Sequence, residues 1–327
     1  MAKNRGLTNT ERLVLGRLEV NARTPLSRIG NSIRKSQQIV SYTVNSLIEK
    51  EIIRGFYTVI DYSKMDMLNF HVHFRAKYLG DENFNELIDY LVSEKHTSWV
   101  ATRGGGYDVV CSFLTPNPSK FNKIWKGVIE KFPQRIQKYI ILTTIVNIDY
   151  GRKYLSEENP KIPVKTYGGD KEPVDVDKKD IEILKEISEK ARVSSVELGR
   201  ELSLTPKTVA ERIRKLRKQE IILGFRPSVL ARNMGYISSL FLIKYHNISL
   251  GGDEFATYLK NHPNIVRAVK TIGEWDIEIQ VEVENVSELR NVEMEIREKF
   301  SSLIKEIANV PLYRTYKKTF FPGFLVG

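Results

Sequence analysis

Two rhythms of apolar residues alternate along this chain. Between residues 177 and 218 the apolar positions step by three and four: Ile181, Leu184 and Ile187, then Val196, Leu198 and Leu202, then Val209, Ile213 and Leu216. That spacing predicts three short helices, each with one buried face. Asp177 and Ser194 or Ser195 stand where helix caps belong, and Thr205-Pro206 supplies a cap followed by a first-turn proline. The last two helices, joined by a tight turn, form a helix-turn-helix. After Phe225 the rhythm changes. Strands are predicted at Ser238–His246, Ile265–Thr271, Trp275–Val283 and Asn309–Thr319, with helices at Asp253–Asn261 and Ser287–Phe300. Ile277, Ile279, Val281 and Val283 alternate with charged or polar residues, which predicts one buried face and one wet face.

The first half says the same thing. Setting Thr8–Phe56 over Asp177–Phe225, at an offset of 169, gives eleven identities in 49 positions without a gap. They include Ala22-Arg23/Ala191-Arg192, Gly30/Gly199 and Gly55-Phe56/Gly224-Phe225, so the shared positions are those that set turns and packing. In the first copy Leu15, Leu18, Ile29, Ile33, Val40, Val44 and Leu47 keep the helical spacing, with Ser36 as a cap. The elements Phe70–Tyr78, Asn83–Ser93, Ser98–Arg103, Tyr107–Thr115, Lys120–Lys131 and Lys138–Asp149 follow. A repeat of half the chain length predicts two copies of one unit.

The expected fold is therefore α+β and internally repeated. It has two winged helix-turn-helix domains (1–60 and 177–229) and two ferredoxin-like βαββαβ domains (61–155 and 230–327). A helix-backed four-stranded sheet leaves one face uncovered, and the second sheet is expected to cover it. Residues 156–176, rich in proline, glycine and charge, read as an extended linker.

The net charge is +11, with +7 up to Pro160 and +4 beyond it, a surplus that suits a polyanionic partner. The single Cys111 excludes an intrachain disulfide and a cysteine-rich metal site. Its alternation with Val109 and Phe113 predicts a core thiol. No apolar leader is visible after Met1, and Tyr139–Ile148 is too short to span a bilayer. A soluble, cytoplasmic protein without membrane contact is expected.

DKKDIEILKEISEKARVSSVELGRELSLTPKTVAERIRKLRKQEIILGF, with the later loop Gly273-Glu274-Trp275-Asp276, resembles the Lrp/AsnC family of transcriptional regulators. The first copy keeps EVNAR, Ile29-Gly30 and KEIIRGF, and widens the loop to Gly104-Gly105-Gly106-Tyr107-Asp108. The resemblance covers nearly the whole chain apart from the linker. It implies a non-enzymatic, sequence-specific regulator of double-stranded DNA, without a cofactor. Family members associate as dimers through their ferredoxin-like domains, so this chain looks like such a dimer fused in tandem, with further homo-oligomerisation a natural extension.

In a helix-turn-helix the second helix enters the major groove. With Val209, Ile213 and Leu216 buried, the opposite face presents Lys207, Thr208, Glu211 and Arg214 for bases, and Lys215 and Lys218 for phosphates. Pro206–Gln219 carries a net +5. Its counterpart Gln37–Lys50 is neutral and offers Gln37, Gln38, Ser41, Tyr42 and Asn45, with Arg34 and Lys35 just before it. Two readings stay open for this copy: a different half-site, or loss of DNA contact. Unlike helices predict an asymmetric operator.

The resemblance also implies an effector pocket, often for an amino acid, around Gly104, Gly105, Gly106, Tyr107 and Asp108 and around Gly273, Glu274, Trp275 and Asp276. Glycines there let main-chain groups approach a ligand; the plainer reading is a pair of tight hairpin turns. His71 and His73 point one way from a strand, but no third metal ligand is evident nearby, so no metal is expected. The tail Phe320, Phe321, Phe324 and Leu325 either covers a sheet or makes an oligomer contact. Two alternatives share the architecture. Siroheme decarboxylases resemble this fold and can be fused pairs, but only His96 and Arg103 match their motif, and Asp108 and Asp276 stand in place of its asparagine. A nonspecific architectural DNA-binding protein is the other.

Overall fold

The computed structural model describes residues 6–78, 80–155, 161–246 and 252–325. The first unit runs α1 (Asn9–Val20), α2 (Leu26–Ser32), α3 (Gln37–Glu49), β1 (Ile53–Ile60), β2 (Leu68–Ala76), α4 (Asp81–Ser93), β3 (Thr97–Arg103), β4 (Val109–Thr115), α5 (Pro118–Lys131) and β5 (Ile136–Asp149). A short strand, β6 (Lys165–Gly168), follows. The second unit repeats the order as α6 (Lys178–Glu189), α7 (Ser195–Leu202), α8 (Pro206–Lys218), β7 (Ile222–Val229), β8 (Ile237–Tyr245), α9 (Gly252–Asn261), β9 (Ile265–Ile272), β10 (Ile277–Val283), α10 (Val286–Lys299) and β11 (Ile304–Lys318).

Each unit alone is a four-stranded antiparallel sheet, in the order β5-β2-β4-β3 in one and β11-β8-β10-β9 in the other. The expected face-to-face covering is replaced by edge joining. The strands β2-β4-β3-β11-β8-β10-β9-β5 run in sequence and β5 pairs again with β2, which closes an eight-stranded barrel. Closure depends on two long strands. The first part of β5 pairs with β2 and its second part with β9, with a register shift between Thr144 and Val146. The first part of β11 likewise pairs with β8 and its second part with β3. Such irregularities let one strand bend from its own sheet into the neighbouring one.

Helices α4 and α5 pack outside the barrel on Phe70, Val72, Phe74, Val109, Cys111 and Phe113. Cys111 is fully buried there, as its alternation predicted. The opposite side chains of these strands point into the barrel, where Trp99, Leu142, Leu240, Leu242, Trp275 and Val310 form a separate cluster. This overturns the reading of β10. Its polar positions face the interior and not water, and Glu278 and Glu282 are 2% and 1% exposed.

The expected wings are shared. β1 pairs antiparallel with β7, so one two-stranded ribbon joins both helix-turn-helix units. The identical residues of the repeat lock this junction reciprocally. The Ala22 amide donates to the Phe225 carbonyl at 3.1 Å, and the Ala191 amide to the Phe56 carbonyl at 2.8 Å. Arg23 lies over the Phe225 ring and Arg192 over the Phe56 ring, 5.1 and 5.4 Å from their centroids. Contacts repeated in both directions are the mark of an isologous, two-fold interface.

Two expected boundaries shift. The linker reading is corrected, because Lys165–Gly168 pairs with Val146–Asp149 as a ninth strand; residues 156–160 lie outside the described residues. Tyr154 and Leu155 join the core of the first helix-turn-helix, and Phe320, Phe321, Phe324 and Leu325 that of the second. The aromatic tail is thus an internal cover, with Phe320 stacked on Tyr57 at 5.3 Å. Among the described residues, no helix is long and apolar enough to cross a membrane.

The repeated glycines explain the tightness of both turns. A Cβ at Gly30 would meet the Lys35 carbonyl oxygen at 2.5 Å, and one at Gly199 the Leu204 carbonyl oxygen at 2.6 Å. Both obstacles are backbone, which cannot swing away. Gly199→Ala should therefore destabilise the second helix-turn-helix by about 2 kcal/mol, in the usual range for overpacking. Urea unfolding followed by circular dichroism measures it, and an unchanged midpoint would refute the turn argument.

Candidate nucleic-acid interface

The second reading helix is assembled from local signals. Ser194 and Glu197 form a capping box on α7, and the Thr205 side chain caps α8 by accepting from the Thr208 amide. Val209, Ile213 and Leu216 anchor the inner face of α8 in the core. Lys207, Glu211, Arg214, Lys215 and Lys218 are exposed on the outer side, and Thr208 is half-buried. The sequence-derived face is therefore presented to solvent as a set. One member is diverted: Lys215 Nζ lies 2.8 Å from Asp180 Oδ2. Arg212, which was not singled out, shares the same carboxylate at 2.8 Å and also reaches Asp177 at 2.6 Å. Asp180 is fully buried, so this pair ties α6 to the back of α8. With Lys215 paired in this way, Lys207, Arg214 and Lys218 of the predicted set, and the exposed Arg217 beside them, have no ion-pair partner among the described residues.

The first reading helix follows the same plan with other chemistry. Ser36 caps α3 by accepting from the Ile39 amide, and Val40, Val44 and Leu47 face the core. Arg34, Lys35, Gln37, Gln38, Tyr42 and Asn45 are exposed, with Ser41 half-buried. Tyr42 is 77% exposed, with no hydrogen bond or ring contact to it among the described residues. Lys50 pairs with Glu11 at 2.5 Å, and Glu11 occupies the position that matches Asp180. Each copy thus has an acid on its first helix that holds a cation on, or just after, its third. Neither acid is an identity in the repeat, which is why alignment passed over them.

The two glycine loops lie at the β3–β4 and β9–β10 turns. Gly105, Gly106, Gly273 and Glu274 are exposed, and Gly105 and Gly106 have φ of 73° and 89°. Gly104 is half-buried, with Tyr313 beside it. Their neighbours are committed to the fold. Tyr107 and Trp275 are buried, Asp108 accepts from the Ala76 amide at 2.8 Å, and Asp276 accepts from the Tyr245 amide at 2.8 Å.

The histidines gain the partner that the sequence did not reveal. Glu278, from the other unit, lies with Oε2 2.5 Å from His71 Nδ1 and Oε1 2.7 Å from His73 Nε2. Arg103 Nη1 contacts His73 Nδ1, and its guanidinium lies over the Tyr107 ring. Burial alone would raise the Glu278 carboxyl, but the two facing histidines hold it well below the ordinary carboxylate range. Burial pulls the His73 imidazole down to about 4 despite that carboxylate. His71, His73 and Glu278 are also the group whose ligand atoms lie within 4.8 Å of one another and could hold a metal ion, among the described residues. Arg103 opposes this. A guanidinium donates only, so the nitrogen it meets must accept, and the His73 proton then sits on Nε2, facing Glu278. The arrangement fits a buried hydrogen-bonded ion network. His96, in contrast, pairs with Glu94 at 2.7 Å and stacks on Phe324, so it does not join Arg103.

This network makes stability acid-sensitive. Unfolded His73 takes a proton near 6.5 and folded His73 only near 4, so stability is complete above about 6.5 and falls as pH drops toward 4. Glu278, depressed in the fold, adds loss in the same direction below about 4.5. His73→Leu should cost on the order of 3 kcal/mol at pH 7, because it strips a buried carboxylate of one partner. It should also flatten the dependence between pH 6.5 and 4 relative to the parent. Parallel stability curves in urea titrations would contradict the assignment.

Comparison with known proteins agrees with this geometry. A family model described as winged helix-turn-helix DNA-binding matches residues 176–222. The HTH-type transcriptional regulator FL11 of Pyrococcus furiosus is 34% identical over 119 residues, 36% of this chain and 75% of that protein. The leucine-responsive regulatory protein of Rhizobium meliloti is 27% identical over 124 residues, 37% of this chain and 80% of that one. The siroheme decarboxylase NirDL, solved with an iron-uroporphyrin III analogue, shares the fold across both units. Its TM-score is 0.61 at 12% identity, covering 97% of this chain and 96% of that one. With its exposed reading helices and repeated unit, this chain belongs to the Lrp/AsnC family of helix-turn-helix transcriptional regulators, carried twice in tandem.

Proposed function

We propose that this regulator acts as a dimer within one chain and reads an asymmetric operator. The observation that carries the reading is the inequality of its two exposed helices on one reciprocal scaffold. α8 offers Lys207, Arg214 and Lys218, a set suited to guanine edges and phosphates. α3 offers Gln37, Gln38 and Asn45, suited to adenine edges, with Ile39 available to a thymine methyl. Identical halves read palindromes; unlike halves held in a fixed relation read two different half-sites. The β1–β7 ribbon and the reciprocal alanine–phenylalanine bonds supply that fixed relation.

An amino-acid-class effector at the turn loops rests on the exposed backbone of Gly105, Gly106 and Gly273. Tyr107, Asp108, Trp275 and Asp276 serve the fold around it. A siroheme decarboxylase-like activity has in its favour the shared two-unit fold and the buried His71–His73–Glu278 network. Addition of siroheme separates the two readings: an absorption change with unaltered duplex binding would favour the enzyme.

Selection of bound sequences from a random duplex pool, at stated salt, should return a consensus whose halves differ. A palindromic consensus, or none, would sink the intrachain reading. Arg214→Ala with Lys218→Ala should weaken binding to all sequences. It should also make the dependence of log K on log salt shallower by about 0.9 for each phosphate contact removed. Gln38→Ala with Asn45→Ala should relax preference in one half-site only, and a change in both halves would count against separate reading.

A further inference from the structure

The closed barrel has a cleft at one mouth. It has a volume of about 990 Å³ and lies between the β1–β7 ribbon, the second part of β11, and inward-facing side chains that include Trp99 and Arg267. Barrel mouths are a recurrent place for ligands, and this volume is at the upper end of the usual range. Its charge is one-sided. Arg54, Arg232 and Arg314 stand exposed at the rim, and Arg267 and Lys318 are half-buried deeper in. Among the described residues no carboxylate lies within ion-pair distance of any of these five; of the two acidic lining residues, Glu282 is taken by Arg152 at 2.9 Å and Glu189 acts on the neighbouring Lys317.

The two inner cations are held by rings and tyrosine hydroxyls instead, Lys318 donating to Tyr57 and Arg267 to Tyr167. Arg267 lies over Trp99, 4.8 Å from its centroid, and Lys318 lies over Tyr57 at 5.0 Å. Burial, with Arg267 as a like-charged neighbour, pulls the Lys318 amine down to about 8. Two like charges in a recess, resting on aromatic faces with Asp149 and Glu19 acting on Lys318 only from beyond ion-pair distance, form half of a recognition site: cation–π contacts are weaker than the charge-assisted bonds an anion would supply.

We propose that this mouth binds a small organic polyanion, with two or more carboxylate or phosphate groups on a flat aromatic body. Arg267 and Lys318 take the innermost anionic group, the exposed Tyr313 ring at the rim the body, and Arg54 and Arg314 the outer groups. Duplex DNA is a poorer occupant, because the inner pair is recessed beneath the ribbon that carries both reading units. Since β1 and β7 form the roof, occupation stiffens the ribbon between those units. This site is separate from the glycine loops and does not depend on how the operator is read.

The test uses the full chain and two probes, benzene hexacarboxylate and metal-free ATP, followed by calorimetry and thermal unfolding. At least one should bind and raise the melting temperature by several degrees, and which one binds assigns carboxylate or phosphate as the source. Arg267→Gln with Lys318→Gln should abolish binding while leaving the ligand-free melting temperature unchanged or higher, since a repulsion is removed. If that variant fails to fold, Arg54→Gln with Arg314→Gln, at the exposed rim, should weaken binding about tenfold. No binding of either probe, or binding indifferent to the variants, overturns the proposal. So does a loss of random-duplex affinity in the Arg267/Lys318 variant as large as that in the Arg214/Lys218 variant, which would make the cleft a DNA surface.

Discussion

The whole architecture hangs on two strands that serve two sheets each. β5 and β11 begin in their own unit and finish in the other, and only that exchange turns two open sheets into a closed barrel. An open four-stranded sheet would leave unpaired backbone groups along both edges. Here each unit's edge is satisfied by the other, so neither half is complete alone. The interior that results is common property. Residues from both units face one another across it, and the ribbon of β1 and β7 is held above its mouth.

Shared interiors explain the most unusual feature, a charged cluster inside a hydrophobic barrel. The strands β2 and β8 are nine residues each and correspond, so His71 and His73 match Leu240 and Leu242; Glu278 and Arg103 correspond to Val110 and Thr271. At one position about the two-fold axis the barrel is filled with leucine and valine, and at the other with histidine and glutamate. Buried ions are tolerated only when paired and hydrogen-bonded. Glu278 is paired with two histidines contributed by the opposite unit, and its contact with His71 is also a hydrogen bond.

Much of this was legible beforehand. Helical spacing, caps and the Thr205-Pro206 turn placed α6–α8 within a residue or two of where they lie, because these signals are local. The outward faces of α3 and α8 followed from the same periodicity. What escaped was non-local. An alternating strand such as β10 looks the same whether its polar side meets water or a closed barrel, so Glu278 and Glu282 read as wet. The pairing of Lys165–Gly168 with β5 was hidden by a composition typical of linkers. The cleft at the barrel mouth draws its cations from β1, the turn after β7, β9 and β11, and no window along the chain brings those together.

The strand within the connection between units has a consequence for the cell. Because β6 is stitched onto β5, the two halves meet at an effective concentration set by the chain and not by expression level. Dilution does not part them, and a related regulator in the same cell gains no opening to trade partners. A substitution in such a molecule also arrives once, where in a self-paired protein it would arrive twice. Insulation from exchange and freedom from enforced symmetry are what allow one half to keep a lysine-rich reader while the other presents amides and a tyrosine.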